Sequence, residues 1–273
     1  MERTIERANA KLNLTLGVLY KRTDGYHALD SIMQSVDFYD SLVVERASGV
    51  TVTSTGMLLP YDNTVRRAAE RYRALTGRGA DIRVTKRIPA EAGMGGGSAD
   101  AAAALTGMQK LYGEVDEKTL FEIGASVGAD VPFCMRGGLQ RAEGTGEALT
   151  PLCGPKMYFA VIKPARGVST KKLFSLLKLP RKMPDTAACM RALAQGDIDA
   201  LAPLLFNALE EPASELVPEI ADAKRELMET GALAAGMTGS GSAVFGLFPK
   251  RELAESALPK LERYPFACVC ESV

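Results

Sequence analysis

The sequence predicts two α+β domains, residues 1–154 and 155–273. Three observations carry that expectation. From Lys11, apolar Leu12, Leu14, Leu16 and Val18 alternate with Lys11, Asn13 and Thr15, the period of a strand. The rest of the first half mixes short strands with segments of helical spacing. Beyond Pro155 the elements, two extra helices set aside, run β-α-β-β-α-β, the order of a ferredoxin-like domain.

Each element follows from local signals. The alternation puts Lys11 and Asn13 on one strand face, opposite the core. Asp24-Gly25 in TDGYH marks a turn, and VDFYDSLVVE and GVTVTS read as further strands. Asp62-Asn63 can cap a helix carrying Val65, Ala69, Tyr72 and Leu75. ADIRVTKRIP is a strand with Ile82 and Val84 inward, ended by Pro89. Ser98 is the expected N-cap of a helix with Leu105, Met108 and Leu111 on one face, with Asp100 in its first turn. A helix from Asp116 uses Leu120, Ile123 and Val127 and stops at Gly128, and Asp130 lies just past that stop. MRGGLQRAEGTGEALTPL reads as a hairpin. In the second half MYFAVIKP is a strand, and helices are expected at Thr170–Leu177, Asp185–Gln195, Asp197–Leu205 and, as one long element, Leu216–Thr230. A strand, the turn MTGSGS, the strand AVFGLF, a helix from Lys250 and the strand FACVC complete the chain.

Composition excludes several classes. Hydrophobic content of 47% and charged content of 24% fit a soluble globular protein. With 33 basic and 33 acidic residues there is no electrostatic case for a nucleic-acid partner or a membrane surface. Cys134, Cys153, Cys189, Cys268 and Cys270 are odd in number and scattered, so they read as free thiols. One histidine and no CxxC argue against a structural zinc site. No segment approaches the roughly 18 apolar residues of a membrane span, and MERTIERANAKLNL has neither a signal core nor transit-peptide composition. A cytoplasmic protein, monomeric or weakly homodimeric, is expected.

The stretch PAEAGMGGGSADAAAAL has four glycines among residues 93–97, between a strand and a helix start. A helix N-terminus offers unpaired N–H groups and about half a positive charge, and glycines let backbone close around phosphate. A flexible turn is the competing reading, but a turn rarely needs four glycines in five positions. It is not a P-loop, because GxxxxGK[ST] is absent, and the GxGxxG fingerprint fails. MTGSGS, Met237 to Ser242, is a second glycine-rich turn, here between strands; alone it is an ordinary hairpin turn. Two such turns in different domains point to a nucleotide cleft. Asp130 by itself reads as a capping or surface residue, Lys11 as a solvated strand residue, and His27 as a structural histidine. No GxSxG elbow gives His27 a hydrolase role.

Together, several blocks resemble the GHMP small-molecule kinases. PAEAGMGGGSADAAAAL is similar to their phosphate loop and MTGSGSAVFGLF to their C-terminal glycine motif. AKLNLTLGVLYKRTDGYHALDS, the Asp62-Asn63 pair, GADVPFC and NALE at 207–210 resemble those members that act on a cytidine-diphosphate alcohol, and they span almost the whole chain in order. The resemblance implies a two-domain GHMP kinase fold, with an N-terminal domain like ribosomal protein S5 domain 2 and a ferredoxin-like C-terminal domain. It implies transfer of the ATP γ-phosphate to the 2-hydroxyl of 4-(cytidine 5'-diphospho)-2-C-methyl-D-erythritol, in the non-mevalonate route to isoprenoid precursors. Asp130 would be the base, with Lys11 beside it keeping it ionised and stabilising the alkoxide. Asn13 would hold substrate near that centre. Tyr26 and His27 would meet the cytosine, and Gly239 and Gly241 would border the substrate. Gly93, Met94, Gly95, Gly96, Gly97 and Ser98 would wrap the phosphates, with Asn63 near the adenine. Mg²⁺ is implied by ATP, with its protein ligands unassigned. One position departs from the pattern. The family commonly carries a second serine where this chain has Ala99, and that hydroxyl served either the phosphates or only the helix cap.

Three alternatives compete with this reading. A family member with a mevalonate-type or homoserine-type substrate is the nearest. A non-catalytic RNA-binding protein would need a basic aromatic face, which balanced charge and 6% aromatic content do not supply. An NAD-dependent enzyme lacks its fingerprint.

Overall fold

The alternation from Lys11 is the later half of a longer strand, β1 (Arg3–Lys21), in the computed structural model, which describes residues 2–179 and 181–273. From Ala10 to Val18 every residue of β1 is buried. Lys11 and Asn13 therefore do share a face, but it is not a solvated one: each is 3% exposed. β2 (His27–Ala47) likewise begins before the predicted segment.

The chain divides into two units, and neither is one continuous segment. The first comprises the chain through Ala10, Phe38–Ile88 and Gly95–Gly137. In it β3 (Val50–Thr55) pairs in parallel with β4 (Gly79–Thr85), which pairs antiparallel with Ser41–Ala47 of β2. Its helices are α1 (Thr64–Thr76), α2 (Gly96–Tyr112), α3 (Glu117–Val127) and α4 (Val131–Arg136). Val44, Val65, Tyr72, Ile82, Leu105 and Met108 are among its core residues. Leu75 stays outside that core, 63% exposed, because Ala68 and Tyr72 complete the buried stripe of α1. The expected cap Asn63, and Asp116 at the expected start of α3, each accept a hydrogen bond from the amide three residues on.

The second unit comprises Lys11–Asp37, Pro89–Met94 and Gly138–Val273. Here the hairpin β5 (Leu139–Gly144) and β6 (Ala148–Pro151) pairs through β5 with Leu29–Gln34 of β2. A separate antiparallel sheet has the order β11-β7-β10-β9, built from β7 (Tyr158–Lys163), β9 (Ala234–Met237), β10 (Val244–Phe248) and β11 (Phe266–Glu271). With α9 (Glu219–Glu229) and α10 (Arg251–Ala257) it forms the ferredoxin-like arrangement that the element order predicts. More helices intervene than the two set aside from the sequence: α5 (Thr170–Leu176), α6 (Thr186–Gln195) and α7 (Ile198–Leu201), the last continued by a 3-10 turn.

The helix expected over Leu216–Thr230 is α9, which begins only after Pro218, since proline disfavours helical backbone in the residue before it. An unexpected helix, α8 (Glu210–Leu216), precedes it and ends at Val217, at φ −135° and ψ 83°. The short strand β8 (Phe206–Asn207), ahead of α8, pairs in parallel with Thr15 and Leu16 of β1.

Candidate functional site

In the first unit the glycine stretch becomes the opening turn of α2. Gly95 is the N-cap, at φ 74°, and no side chain caps the helix. Ser98 is thus the third helical residue rather than the cap, because a glycine that reaches left-handed backbone lets the helix start earlier. The amides of that first turn have no intrahelical acceptor and carry the positive end of a 17-residue helix dipole. Gly97 is exposed, and Thr64 donates from Oγ1 to its carbonyl at 2.6 Å, tying the start of α1 to the turn. Asn63 spends its Oδ1 on the Arg66 amide at 2.9 Å and one Nδ2 hydrogen on Pro60 O at 2.8 Å, leaving one donor for a ligand.

Ala99 and Asp100 point the other way. Ala99 is 1% exposed and lies in the core of this unit. Asp100 accepts from Lys86 Nζ at 2.6 Å, and the same ammonium also reaches Asp40. Asp40 Oδ1 accepts from the amides of Arg87 and, at 2.8 Å, Ile88. One buried ammonium faces two carboxyl groups. Asp40 has backbone donors and Asp100 Oδ1 has no partner, so burial, with Asp40 adding repulsion, pushes Asp100 up to about 7 against the pull of Lys86. Sequence reasoning placed Asp100 at the dipole and missed Lys86 and Asp40. A cation following β4 carries no motif, and its partners are distant in sequence.

Asp130 lies on the link between the stop of α3 at Gly128 and the start of α4, and its side chain makes no cap bond there. A Cβ added at Gly128 would stand 3.6 Å from Ser98 Oγ. The link that carries Asp130 is therefore a neighbour of the phosphate-turn serine within one unit.

The other half of the candidate residues belongs to the second unit. Lys11 Nζ donates to Asn13 Oδ1 at 2.5 Å, and Asn13 Nδ2 to Ser31 Oγ at 2.8 Å. The Asn13 amide donates to Thr238 Oγ1 at 3.0 Å, which places the buried Thr238 of MTGSGS against β1. The segment Pro89–Met94 runs beside the same loop: Ser242 N donates to Glu91 O at 2.9 Å, and Lys11 N to Met94 O at 3.0 Å. Gly93, at φ 71°, lies so close that a Cβ would stand 2.1 Å from Thr238 O. A Cβ on Gly239, at φ 54°, would meet Gly93 O at 2.6 Å and Lys11 Nζ at 3.1 Å. The unit thus brings Lys11, Asn13, Gly93, Met94, Gly239 and Gly241 together.

Tyr26 is 63% exposed beside the TDGYH turn, whose Asp24 is bonded to Arg22 and to the Tyr26 amide. His27 stacks on Phe174, ring centroids 4.9 Å apart at 33°. Burial, with nearby Lys21, lowers the His27 pKa below the ordinary imidazole value, so the ring is neutral at pH 7. Phe174 escaped the sequence analysis; it is a lone aromatic in STKKLFSLL, on no recognisable motif.

Comparisons with known proteins agree in both halves of the chain. Residues 63–138 match the family described as GHMP kinases N terminal domain, and residues 189–267 match GHMP kinases C terminal. A curated relative, the 4-diphosphocytidyl-2-C-methyl-D-erythritol kinase of Desulfitobacterium hafniense (strain Y51), is 45% identical over 255 residues, 91% of this chain and 88% of the relative. A crystal structure of a 4-(cytidine 5'-diphospho)-2C-methyl-D-erythritol kinase superposes with a TM-score of 0.85 at 35% identity, covering 99% of this chain and 100% of that one. Homoserine kinase from Cytophaga hutchinsonii shares the fold, with a TM-score of 0.77 at 22% identity over 100% of this chain and 95% of its own. The chain belongs to the GHMP kinase family.

Proposed function

We propose that this chain transfers the γ-phosphate of ATP to the 2-hydroxyl of 4-(cytidine 5'-diphospho)-2-C-methyl-D-erythritol; its 45%-identical relative is named as a kinase of that alcohol. The observation that carries it is the neighbourhood of Ser98 and Gly128. In one unit, a helix start suited to a phosphate stands next to the link bearing a carboxylate. The same reading puts the chain on the route to isoprenoid precursors in a cytoplasmic setting, with a boundary near residue 155 that is supported only by the family matches falling on either side of it.

In this reading the alcohol O–H gives its proton to Asp130 as the oxygen attacks the γ-phosphorus and the bond to the ADP oxygen breaks. Lys11 offsets the charge that develops on the alkoxide. Phosphoryl transfer asks mostly for such positioning and charge stabilisation. The backbone of Gly93 to Gly97, with Met94 and Ser98, receives the phosphates, and Asn63 offers its remaining donor to the adenine. Tyr26 supplies a face for the cytosine, and neutral His27, steadied by Phe174, supplies a polar edge. Asn13, Gly239 and Gly241 border the alcohol. Mg²⁺ would neutralise charge between the phosphates. Among the described residues no three His, Cys, Asp or Glu side chains form a metal cluster, which fits an ion held largely by phosphate oxygens and water. Ser98 is the side-chain oxygen of that turn.

A coupled ADP-release assay tests the base. Asp130→Asn should lower kcat by about 10²- to 10⁴-fold, with ATP binding retained, and near-normal turnover would overturn the assignment. Protection by CDP but not by mevalonate separates this substrate from the mevalonate-type alternative.

A further inference from the structure

NALE at 207–210 matches the family pattern, yet none of its residues has a role in the reaction above. Asn207 is buried, and its Nδ2 donates to two carbonyls of the glycine loop, Met237 O at 2.7 Å and Gly239 O at 2.8 Å. Its Oδ1 accepts from the Leu209 amide at 2.9 Å, which fixes the rotamer and aims both hydrogens at the loop. Glu210 takes the next group along. Its Oε2 accepts from the Met237 amide at 2.9 Å, while Oε1 pairs with Lys224 at 2.5 Å. The motif itself is held by β8, where Ala208 N donates to Leu16 O at 2.8 Å.

We infer that Asn207 and Glu210 are positioning residues: they hold the Met237–Gly239 backbone so that Gly239 lies against the Lys11 ammonium. A cavity of about 250 Å³, lined by Asn13, Asn207, Glu210, Met237 and Phe245 among others, stands beside the loop. On that side the hydrogen bonds of Asn207 and Glu210 add to the packing of Met237 in the core. The chemistry is specific to the residue types. Only an amide at 207 can donate twice and accept once; an aspartate of the same shape would set oxygen against two carbonyl oxygens. At 210 any acceptor of equal reach serves the Met237 amide, and the ion pair with Lys224 is incidental.

The role in turnover rests on the proposed reaction, whereas the anchoring does not, and the experiment separates them. Amide hydrogen exchange of the 237–242 segment is measured in the ligand-free protein, alongside kcat and KM, for Asn207→Asp, Glu210→Ala, Glu210→Gln and Lys224→Met. Asn207→Asp and Glu210→Ala should speed exchange of that segment by about tenfold or more and lower kcat by roughly 10- to 100-fold, since a small misplacement costs that much. KM for ATP should stay within about twofold, a split that general destabilisation does not produce. Glu210→Gln should restore both properties, and Lys224→Met should leave both unchanged. Wild-type exchange in Glu210→Ala, or equal loss in Glu210→Gln and Lys224→Met, overturns the inference. A wild-type protein inactive on the cytidine alcohol refutes the proposed reaction, while the exchange data still decide the anchoring.

Discussion

The turn that opens α2 and the loop that joins β9 to β10 are both rich in glycine, and they use it for opposite ends. At the first, Gly95 replaces a side-chain cap, Gly97 is exposed, and the amides of the first turn stay free of side-chain competition. At the second, nearly every group is engaged: Asn13, Asn207, Glu210 and Glu91 each hold a backbone or hydroxyl group of residues 237–242. Gly93 and Gly239 are needed where two backbones touch. Glycine composition alone cannot tell a turn left open for an anion from one closed on its own chain. The next element along the chain can: a long helix after the first turn, a strand after the second.

The sharpest way to break this contrast is to add one methyl to each. Gly93→Ala puts a Cβ 2.1 Å from Thr238 O on left-handed backbone, so it should cost about 3 kcal/mol of stability from overpacking and strain and lower Tm by several degrees. Gly97→Ala meets only the Thr64 side chain, Oγ1 at 3.2 Å and Cγ2 at 3.9 Å, and alanine suits a helix better than glycine. Its Tm should hold or rise while KM for ATP increases about tenfold, because the new methyl stands where a phosphate would approach. Calorimetry and initial rates on both variants check the pair. Equal loss of stability in the two would erase the distinction.

A smaller effect probes what lies under the open turn. Asp100 has its folded pKa raised to about 7 from an ordinary 3.8. The folded state then binds more protons than the unfolded chain between these values, so stability falls as pH rises from about 4 to about 7 and levels off above. Asp100→Asn keeps the shape without the titration. Its melting temperature should therefore decline less than that of wild type across pH 5 to 7, and parallel declines would assign the slope elsewhere.

How much of this was legible in the sequence depends on how local each signal is. Strand alternation at Leu12–Val18, the cap Asn63, the helix start at Asp116 and the ferredoxin-like order of the second half rest on neighbours in sequence, and the structure bears them out. Ser98 as a cap failed because Gly95 starts the helix earlier, and the Leu216–Thr230 helix begins late because Pro218 delays it, while α8 ahead of it was missed. Burial of Lys11 and Asn13 was invisible, since a polar strand face looks solvated until Ser31 and Thr238 are known to bond it. Lys86, Asp40 and Phe174 carry no motif at all. Asn207 did carry one, but its use became evident only with the carbonyls it meets.

The mildest change addresses the one departure inside the glycine turn that opens α2. The side chain of residue 99 faces the core of its unit, 1% exposed, on the far side of the helix from the open amides. A serine hydroxyl there cannot reach a phosphate bound at Gly96 and Gly97. It would bond back to the Gly95 carbonyl, which already accepts the residue-99 amide at 2.8 Å. Ala99→Ser should therefore leave KM for ATP and kcat within about twofold and change stability by less than about 1 kcal/mol. A several-fold gain in ATP affinity would mean that the hydroxyl does serve the nucleotide, and that the open turn is less complete in this chain than its backbone indicates.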